Sequence, residues 1–320
     1  MAKNNRKECI HKRMRTLNLY EKCYDLVKQI PPGMVSTYGL IAEALGDKIA
    51  ARAVGKMLGE NQRSFLRKDV PEEEKVPCHR VVKSDGAIGG FTSEGGVSDK
   101  IALLCAEGVK IVDGIVQDFE TRVFTDFKTD YPLARIRKEQ EMLSREILIA
   151  DDYKLTDVGI VDVAYYGRKA FCALVVLDAY GEKKGVFRAV CDVMFPYIPT
   201  YLAYRELPPI FNVLDIYRPS ILIIDGNGIL HPRGMGIASH VGVLAEIPAI
   251  GAAKSLLTGE LRDDKILLDG KHVGYVVEKY FVSPGHRVSI ESARELVKRF
   301  HTYIREAHRE AGRMKSTSDF

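Results

Sequence analysis

Four aliphatic residues in succession, Ile221-Leu222-Ile223-Ile224, run directly into Asp225-Gly226-Asn227-Gly228-Ile229-Leu230-His231-Pro232-Arg233-Gly234. The run is too short for a helix and is closed by glycine, so it predicts a strand covered on both faces. Such a strand excludes charge from its middle, which puts Asp225 where the strand leaves the sheet. Read alone, that carboxylate either holds a cation or only opens the Asp-Gly turn.

The flanking pattern extends this strand into a domain. A helix is expected from Leu133, with Ile136, Leu143 and Ile147 on one apolar stripe. Three strands follow, Val158–Ala164, Phe171–Leu177 and Val186–Phe195, the last two joined by a turn at Tyr180-Gly181, which predicts an antiparallel meander. Asp162 lies inside the first, between valines, where a carboxylate is costly unless it faces a cation or a polar site. Pro196 and Pro199 bracket Tyr197 and Ile198, either as a stiff tip suited to wedge between bases or as a turn packed into the core. A helix carrying Glu206 follows. Beyond Gly234 come a glycine-punctuated helix, a short buried strand leading to Lys254, a hairpin at Asp269-Gly270, and a final helix with Ala293, Leu296, Val297, Phe300 and Ile304 on one face. Ser289 is its expected cap, and His286 stands just before it.

The N-terminal half has a different grain. Leu19, Cys23, Leu26, Val27 and Ile30 fall at helical spacing until Pro31-Pro32-Gly33. Two short helices, Tyr38–Leu45 and Ala50–Glu60, are joined through Gly46, which suggests helix-turn-helix geometry. After a charged loop comes Pro77-Cys78-His79-Arg80. A thiol flanked by His79 and Arg80 suggests a depressed pKa and a nucleophile, the alternative being a buried structural cysteine.

A chain of 320 residues has room for two cores, and a net charge of +4 confines any nucleic-acid binding to local patches. The six cysteines are scattered without a C-x-x-C pair, as in a reducing cytoplasm. The basic N-terminus has no apolar stretch behind it to make a secretory signal, and no apolar run reaches membrane-spanning length. The expected localisation is cytoplasmic.

Residues 19–112 resemble the DNA-binding, active-site domain of O6-alkylguanine-DNA alkyltransferases through P-C-H-R-V, the S-T-Y-G-L run with Tyr38, A-R-A-V-G with Arg52, Asn61, and L-L-C-A-E-G with Glu107. The resemblance implies that Cys78 accepts the alkyl group irreversibly, with His79 and Glu107 in a water-linked relay that favours the thiolate. Tyr38 would donate a proton to the departing guanine, Arg52 would fill the space left by the flipped nucleotide, and Asn61 would brace the active-site loop. Two departures bear on alkyl preference. The insert between Asn61 and Cys78 is long and charged, and Phe91 stands where a tyrosine is usual.

Residues 131–305 are similar to endonuclease V in five ordered motifs, V-D-V-A-Y, P-Y-I-P with Y-R-E, D-G-N-G-I-L-H-P-R-G, G-A-A-K-S and S-P-G-H. This resemblance implies a ribonuclease H-like core in which Asp162, Glu206 and Asp225 hold Mg2+, with Mn2+ as a substitute, and His286 nearby. Pro196, Tyr197, Ile198 and Pro199 would form the wedge, Lys254 would contact phosphate, and His231 would position the lesion or the water.

The expected organisation is a polar tail (1–18), a mostly helical alkyltransferase-like domain with a helix-turn-helix (19–112), a linker (113–130), an α/β nuclease domain with a mixed sheet flanked by helices (131–307) and a C-terminal tail (308–320). The expected partner is DNA carrying alkylated guanine or deaminated bases, without a membrane. Two alternatives stay open: an N-terminal half that senses alkyl lesions without repairing them, and a nuclease that acts on inosine-containing RNA.

Overall fold

The computed structural model describes residues 17–317, so nearly all of the expected N-terminal tail lies outside the described residues. Two compact units are present: residues 18–137 with 195–199, and the remaining described residues.

In the first unit, α1 (Leu19–Lys28) is capped by Asn18, whose side chain accepts the Glu21 N–H, and it buries Leu19, Cys23, Leu26 and Val27. The strand β1 (Ser36–Thr37) leads into α2 (Tyr38–Leu45), where Thr37 Oγ1 accepts the Leu40 N–H at 3.1 Å. Gly46 ends α2 at φ 106°, and a Cβ there would lie 2.6 Å from the Ala134 backbone nitrogen, so the turn into α3 (Ala51–Gly59) requires glycine. β1 pairs in parallel with β2 (Val81–Val82), next to a single 3-10 turn formed by Cys78–Arg80. The strand pair brings Cys78 back to α2 and α3. α4 (Val97–Ala106) closes a small core of Val35, Val82, Ile88, Leu104, Val109 and Val116.

Residues 113–130, expected as a linker, are folded. Two strands, β3 (Ile111–Val112) and β4 (Ile115–Val116), form a hairpin, and Val35 exchanges backbone hydrogen bonds with Arg122 and Phe124. Asp113-Gly114 is the hairpin turn, with φ of 51° and 72°. A short helix α5 (Phe119–Arg122) precedes α6 (Pro132–Leu143), whose buried stripe is Leu133, Ile136 and Leu143.

The second unit is built on a nine-stranded mixed sheet. The meander β5 (Asp157–Tyr166), β6 (Lys169–Asp178) and β7 (Lys183–Asp192) forms as the alternation predicts, with β7 starting and ending three residues earlier than expected. α7 (Leu202–Ile216) follows. β8 (Ile221–Ile224) is fully buried and runs parallel to β5 on one side and, across the helix α8 (Ile237–Ala245), to β9 (Ala249–Ala253) on the other. An antiparallel extension of β10 (Glu260–Arg262), β11 (Lys265–Leu268), β12 (Lys271–Val277) and β13 (Tyr280–His286) completes the order β10-β11-β12-β13-β9-β8-β5-β6-β7. Asp269 and Gly270 both have positive φ at the β11–β12 turn. α9 (Ile290–Phe300) is capped by Ser289 as expected. The expected C-terminal tail is instead mostly helical: α10 (Thr302–Thr317) buries Ile304, Ala307 and Ala311, the first two in one core with Ile160, Val175 and Ile223.

Candidate active sites

The thiol centre is assembled by short-range geometry. Cys78 is 8% exposed, and its Sγ accepts a hydrogen bond from Asn61 Nδ2 at 3.2 Å. Asn61 is fixed in turn, because its Oδ1 accepts the Arg63 N–H at 2.9 Å. His79 is fully buried, packs on Phe65, and pairs Nε2 with Glu107 Oε1 at 2.9 Å, leaving Nδ1 buried without a protein partner. Tyr38 is half-buried, and burial and then the charge of Cys78 raise its pKa, which keeps the phenol protonated. Arg52 lies exposed on α3, clear of these contacts.

The thiol does not have the depressed pKa expected from its cationic neighbours. Burial pushes Cys78 up to about 11, while Asn61, Lys100 and Arg63 pull the other way. His79 also shifts down, chiefly through burial, so this histidine is neutral in the resting protein.

Arg80, expected to act on the thiol, turns away from it, grips Glu107 with Nε and Nη2 (2.7–3.1 Å), and donates from Nη1 to the Ile30 carbonyl at 2.7 Å; Lys100 was not singled out from sequence. Burial pushes Glu107 upward, but the bonds from Arg80 and His79 outweigh it and hold the carboxyl below its usual range. Lys100 is fully buried, donates to the Val81 carbonyl at 2.6 Å, and is lowered by burial to about 8.

The acidic centre follows from strand register. Val161 of β5 is paired with Ile224 of β8 in a parallel ladder, so the residues that follow, Asp162 within β5 and Asp225 just past the end of β8, stand side by side. Lys254 immediately follows β9, the next parallel neighbour, and its ammonium is paired with Asp225. Burial, then Asp225, raises the pKa of Asp162. Glu206, on α7, is driven up to about 8 by burial first and then by Asp162 and Asp225. The three carboxylates therefore sit within one another's fields.

Among the described residues no three His, Cys, Asp or Glu side chains close on one point as a finished metal site. Two of the acids are engaged by basic side chains: Lys254 holds Asp225, and His308 Nδ1 lies 2.6 Å from Asp162 Oδ2.

His308, on α10, is the histidine of this centre, and it falls in the stretch expected to be a tail. His286, expected there, ends β13 instead, 5% exposed, and its Nδ1 accepts the Leu148 N–H at 3.2 Å. His231 is likewise turned to structural work. Its Nδ1 accepts the Arg233 N–H and its Nε2 lies 3.1 Å from the Thr200 carbonyl, a network that assigns a neutral ring, and burial lowers it to about 4. Of the expected wedge, Tyr197 is 58% exposed and Pro199 is exposed, whereas Pro196 is buried and Ile198 is fully so. Only Tyr197 presents a large ring to solvent.

Glu206 carries a dependence on pH. An unfolded glutamate ionises near 4.3, so between there and about 8 the folded chain holds a proton that the unfolded chain has released. In chelator, stability conferred by this group therefore falls as pH rises through that window. Glu206→Gln is expected to raise the melting temperature at pH 9 in chelator and to leave it nearly unchanged at pH 4. Thermal melts at the two pH values check this, and equal shifts at both would contradict it.

Two family models match the chain in order. Residues 18–109 match the 6-O-methylguanine DNA methyltransferase DNA-binding domain, and residues 141–311 match Endonuclease V, a span that includes His308. A bifunctional methyltransferase/endonuclease of Thermoplasma volcanium is 38% identical over 297 residues, covering 91% of this chain and 88% of that protein. Among solved structures, an endonuclease V from Streptomyces avermitilis aligns at TM-score 0.53 and 31% identity over 57% of this chain and 94% of its own. A Ciona intestinalis endonuclease V variant, solved with DNA containing an inosine followed by a ribo-adenosine, aligns at TM-score 0.50 and 27% identity over 58% and 100% of the two chains. With both models matched in order and the Thermoplasma likeness running through both halves, the chain belongs to the bifunctional methyltransferase/endonuclease family.

Proposed function

We propose that this chain is a two-activity DNA repair protein, which removes alkyl groups from O6-alkylguanine through Cys78 and nicks DNA 3' to deoxyinosine and related deaminated bases with Mg2+. The observation that carries the reading is that each unit holds its own full set of reacting groups. The thiol lies with Asn61, His79, Glu107 and Tyr38, and the paired aspartates lie with Glu206, Lys254 and His308.

In the first reaction Cys78 Sγ attacks the alkyl carbon on O6. The S–C bond forms, the C–O6 bond breaks, and Tyr38 supplies a proton to the departing guanine. The resting thiol is protonated, so its proton must leave before or during attack. His79 is neutral and held by Glu107, which makes it the acceptor, through a water in line with its buried Nδ1. Glu107, clamped by Arg80, then stabilises the imidazolium.

In the second, Asp162, Asp225 and Glu206 would hold the divalent cation, since three carboxylates close enough for the aspartates to raise Glu206, and for Asp225 to raise Asp162, offer hard oxygen donors and an excess of negative charge. When bound, the cation supplies the positive charge that a cleaving phosphodiester requires, with Mn2+ as a substitute for Mg2+. Lys254, once released from Asp225, is free to meet the phosphate. His308 keeps Asp162 oriented. Tyr197 is the ring available to occupy the stack beside the lesion.

The test is one gel. A duplex with a single deoxyinosine is expected to be nicked with Mg2+ and left intact with chelator, and nicking that survives chelator would overturn the metal-dependent reading. RNA is the second reading, motivated by the ribo-adenosine in the Ciona complex. Competition between DNA and RNA of one sequence is expected to favour DNA, and a preference for RNA would reassign the nuclease.

A further inference from the structure

We propose that the cavity between the β12–β13 turn and the start of α10 is a phosphate-binding subsite, which holds the backbone of the DNA strand as it leaves the carboxylate centre. This rests on the nuclease reading above and extends it to residues outside the matched motifs.

The cavity has a volume of about 420 Å³ and is lined by Glu278, Lys279, Tyr280, His301, Thr302 and Arg305. That size falls within the range of about 300–1,000 Å³ typical of ligand sites. Its place is set by the sheet. Phe281 of β13 is paired with Ala253 of β9 in an antiparallel ladder, so one step along the register puts Tyr280 beside Lys254. Asp225 ends the strand on the other side of β9. Two strand spacings, roughly 10 Å, therefore separate the cavity floor from the aspartate, a nucleotide's reach. The electrostatics agree, because Tyr280 is raised first by burial and then by Asp225.

The lining is built to receive negative charge. Among the described residues, neither Lys279 nor Arg305 forms an ion pair, although both are exposed and both reach the cavity. Lys279 Nζ instead lies 5.5 Å from the centre of the Tyr280 ring. The acids further along α10 are already engaged and do not serve as counter-ions: Glu306 pairs with Lys183, and Glu310 pairs with Arg188. Glu278 is the one acid on the rim, so the lining keeps a net positive charge. Two cations without counter-ions beside a reacting centre for phosphodiesters are best matched by another phosphate of the same strand. Neither cation touches the carboxylates, so they contribute to holding the strand and not to the bond that breaks.

The experiment uses the full chain and a labelled deoxyinosine duplex, with equilibrium binding measured by anisotropy in chelator across a salt series. The double variant Lys279→Ala, Arg305→Ala is expected to weaken binding on the order of tenfold and to flatten the dependence of log K on log salt by between about one and two. With Mg2+ its nicking rate at saturating DNA is expected to match wild type, so the defect appears in KM alone. Lys279→Arg with Arg305→Lys is expected to restore binding, which separates charge from packing. A double variant with the wild-type affinity and salt slope would overturn the subsite while wild-type nicking stands. A variant that loses saturated rate with an unchanged slope would overturn it as well, by showing that these residues support the fold or the chemistry. Wild-type protein that binds as described but never nicks with Mg2+ would instead remove the nuclease reading and leave the subsite.

Discussion

Asp225→Ala is expected to slow nicking by on the order of 10³-fold or more while Cys78 is alkylated at the wild-type rate. The size follows from where the residue stands, since removal of one group that stabilises charge in a transition state already costs about 10²–10³-fold. Asp225, just past the end of β8, sits beside Asp162 of the parallel strand β5 and is also the partner of Lys254. Its loss takes away an oxygen donor and leaves the lysine beside the remaining acids. It also removes a charge that raises both Asp162 and Glu206, so their affinity for protons falls while their ability to hold a divalent cation together is lost. Asp225→Asn keeps the shape and removes the charge, and it is expected to fail nearly as badly. Parallel assays of deoxyinosine nicking and of methyl transfer from O6-methylguanine DNA read both activities. If either change silenced both, the two sets of groups would not act independently.

Cys78→Ala is expected to abolish methyl transfer completely and to leave nicking intact. Cys23, the thiol within the field of Cys78, cannot replace it, because it is fully buried and is pushed well above the ordinary value by that burial. Cys78→Ser is expected to be as silent, since an alcohol at its ordinary pKa is a weak nucleophile without a strong adjacent base, and His79 is neutral and paired to Glu107. The readout is the mass of the peptide containing residue 78 after incubation with O6-methylguanine DNA. Wild type gains one methyl group and the variants gain none. A wild-type peptide without the methyl group would turn the N-terminal unit into a lesion sensor.

The sheet was legible in the amino-acid order because its signals are local. Alternation and turns gave the meander, and the aliphatic run before Asp225 predicted a covered strand with a charge at its exit. The adjacency of Asp162 and Asp225 needed one further fact, a parallel register between strands far apart in the chain, which only tertiary structure supplies. Lys100 was invisible for a physical reason. A lysine on a helix with Asp99 beside it reads as solvated, and its burial comes from the Val81 and Gly90 carbonyls that accept from it. Arg80 was visible but misread, since adjacency to Cys78 suggested a direct pull on the thiol, whereas the side chain reaches Glu107. His308 did carry a signal. Ile304, Ala307 and Ala311 recur at helical spacing through a stretch of charged residues, and the small alanines hid the stripe. The opposite error befell His286, where a histidine in a matching motif turned out to fix the Leu148 backbone.

The placement of α10 has a consequence for the order in which a growing chain gains its chemistry. Cys78, Asn61, His79, Arg80 and Glu107 have all been synthesised long before the ribosome reaches Ile304, Ala307 and His308, and domains generally fold as they emerge. The strands that carry Asp162 and Asp225 therefore wait, with one side of their core uncovered, for a helix encoded well over a hundred residues after β5 begins. A polypeptide released early would leave a nuclease sheet that is both uncovered and missing the ring that steadies Asp162, so a message cut short yields no half-controlled scissors.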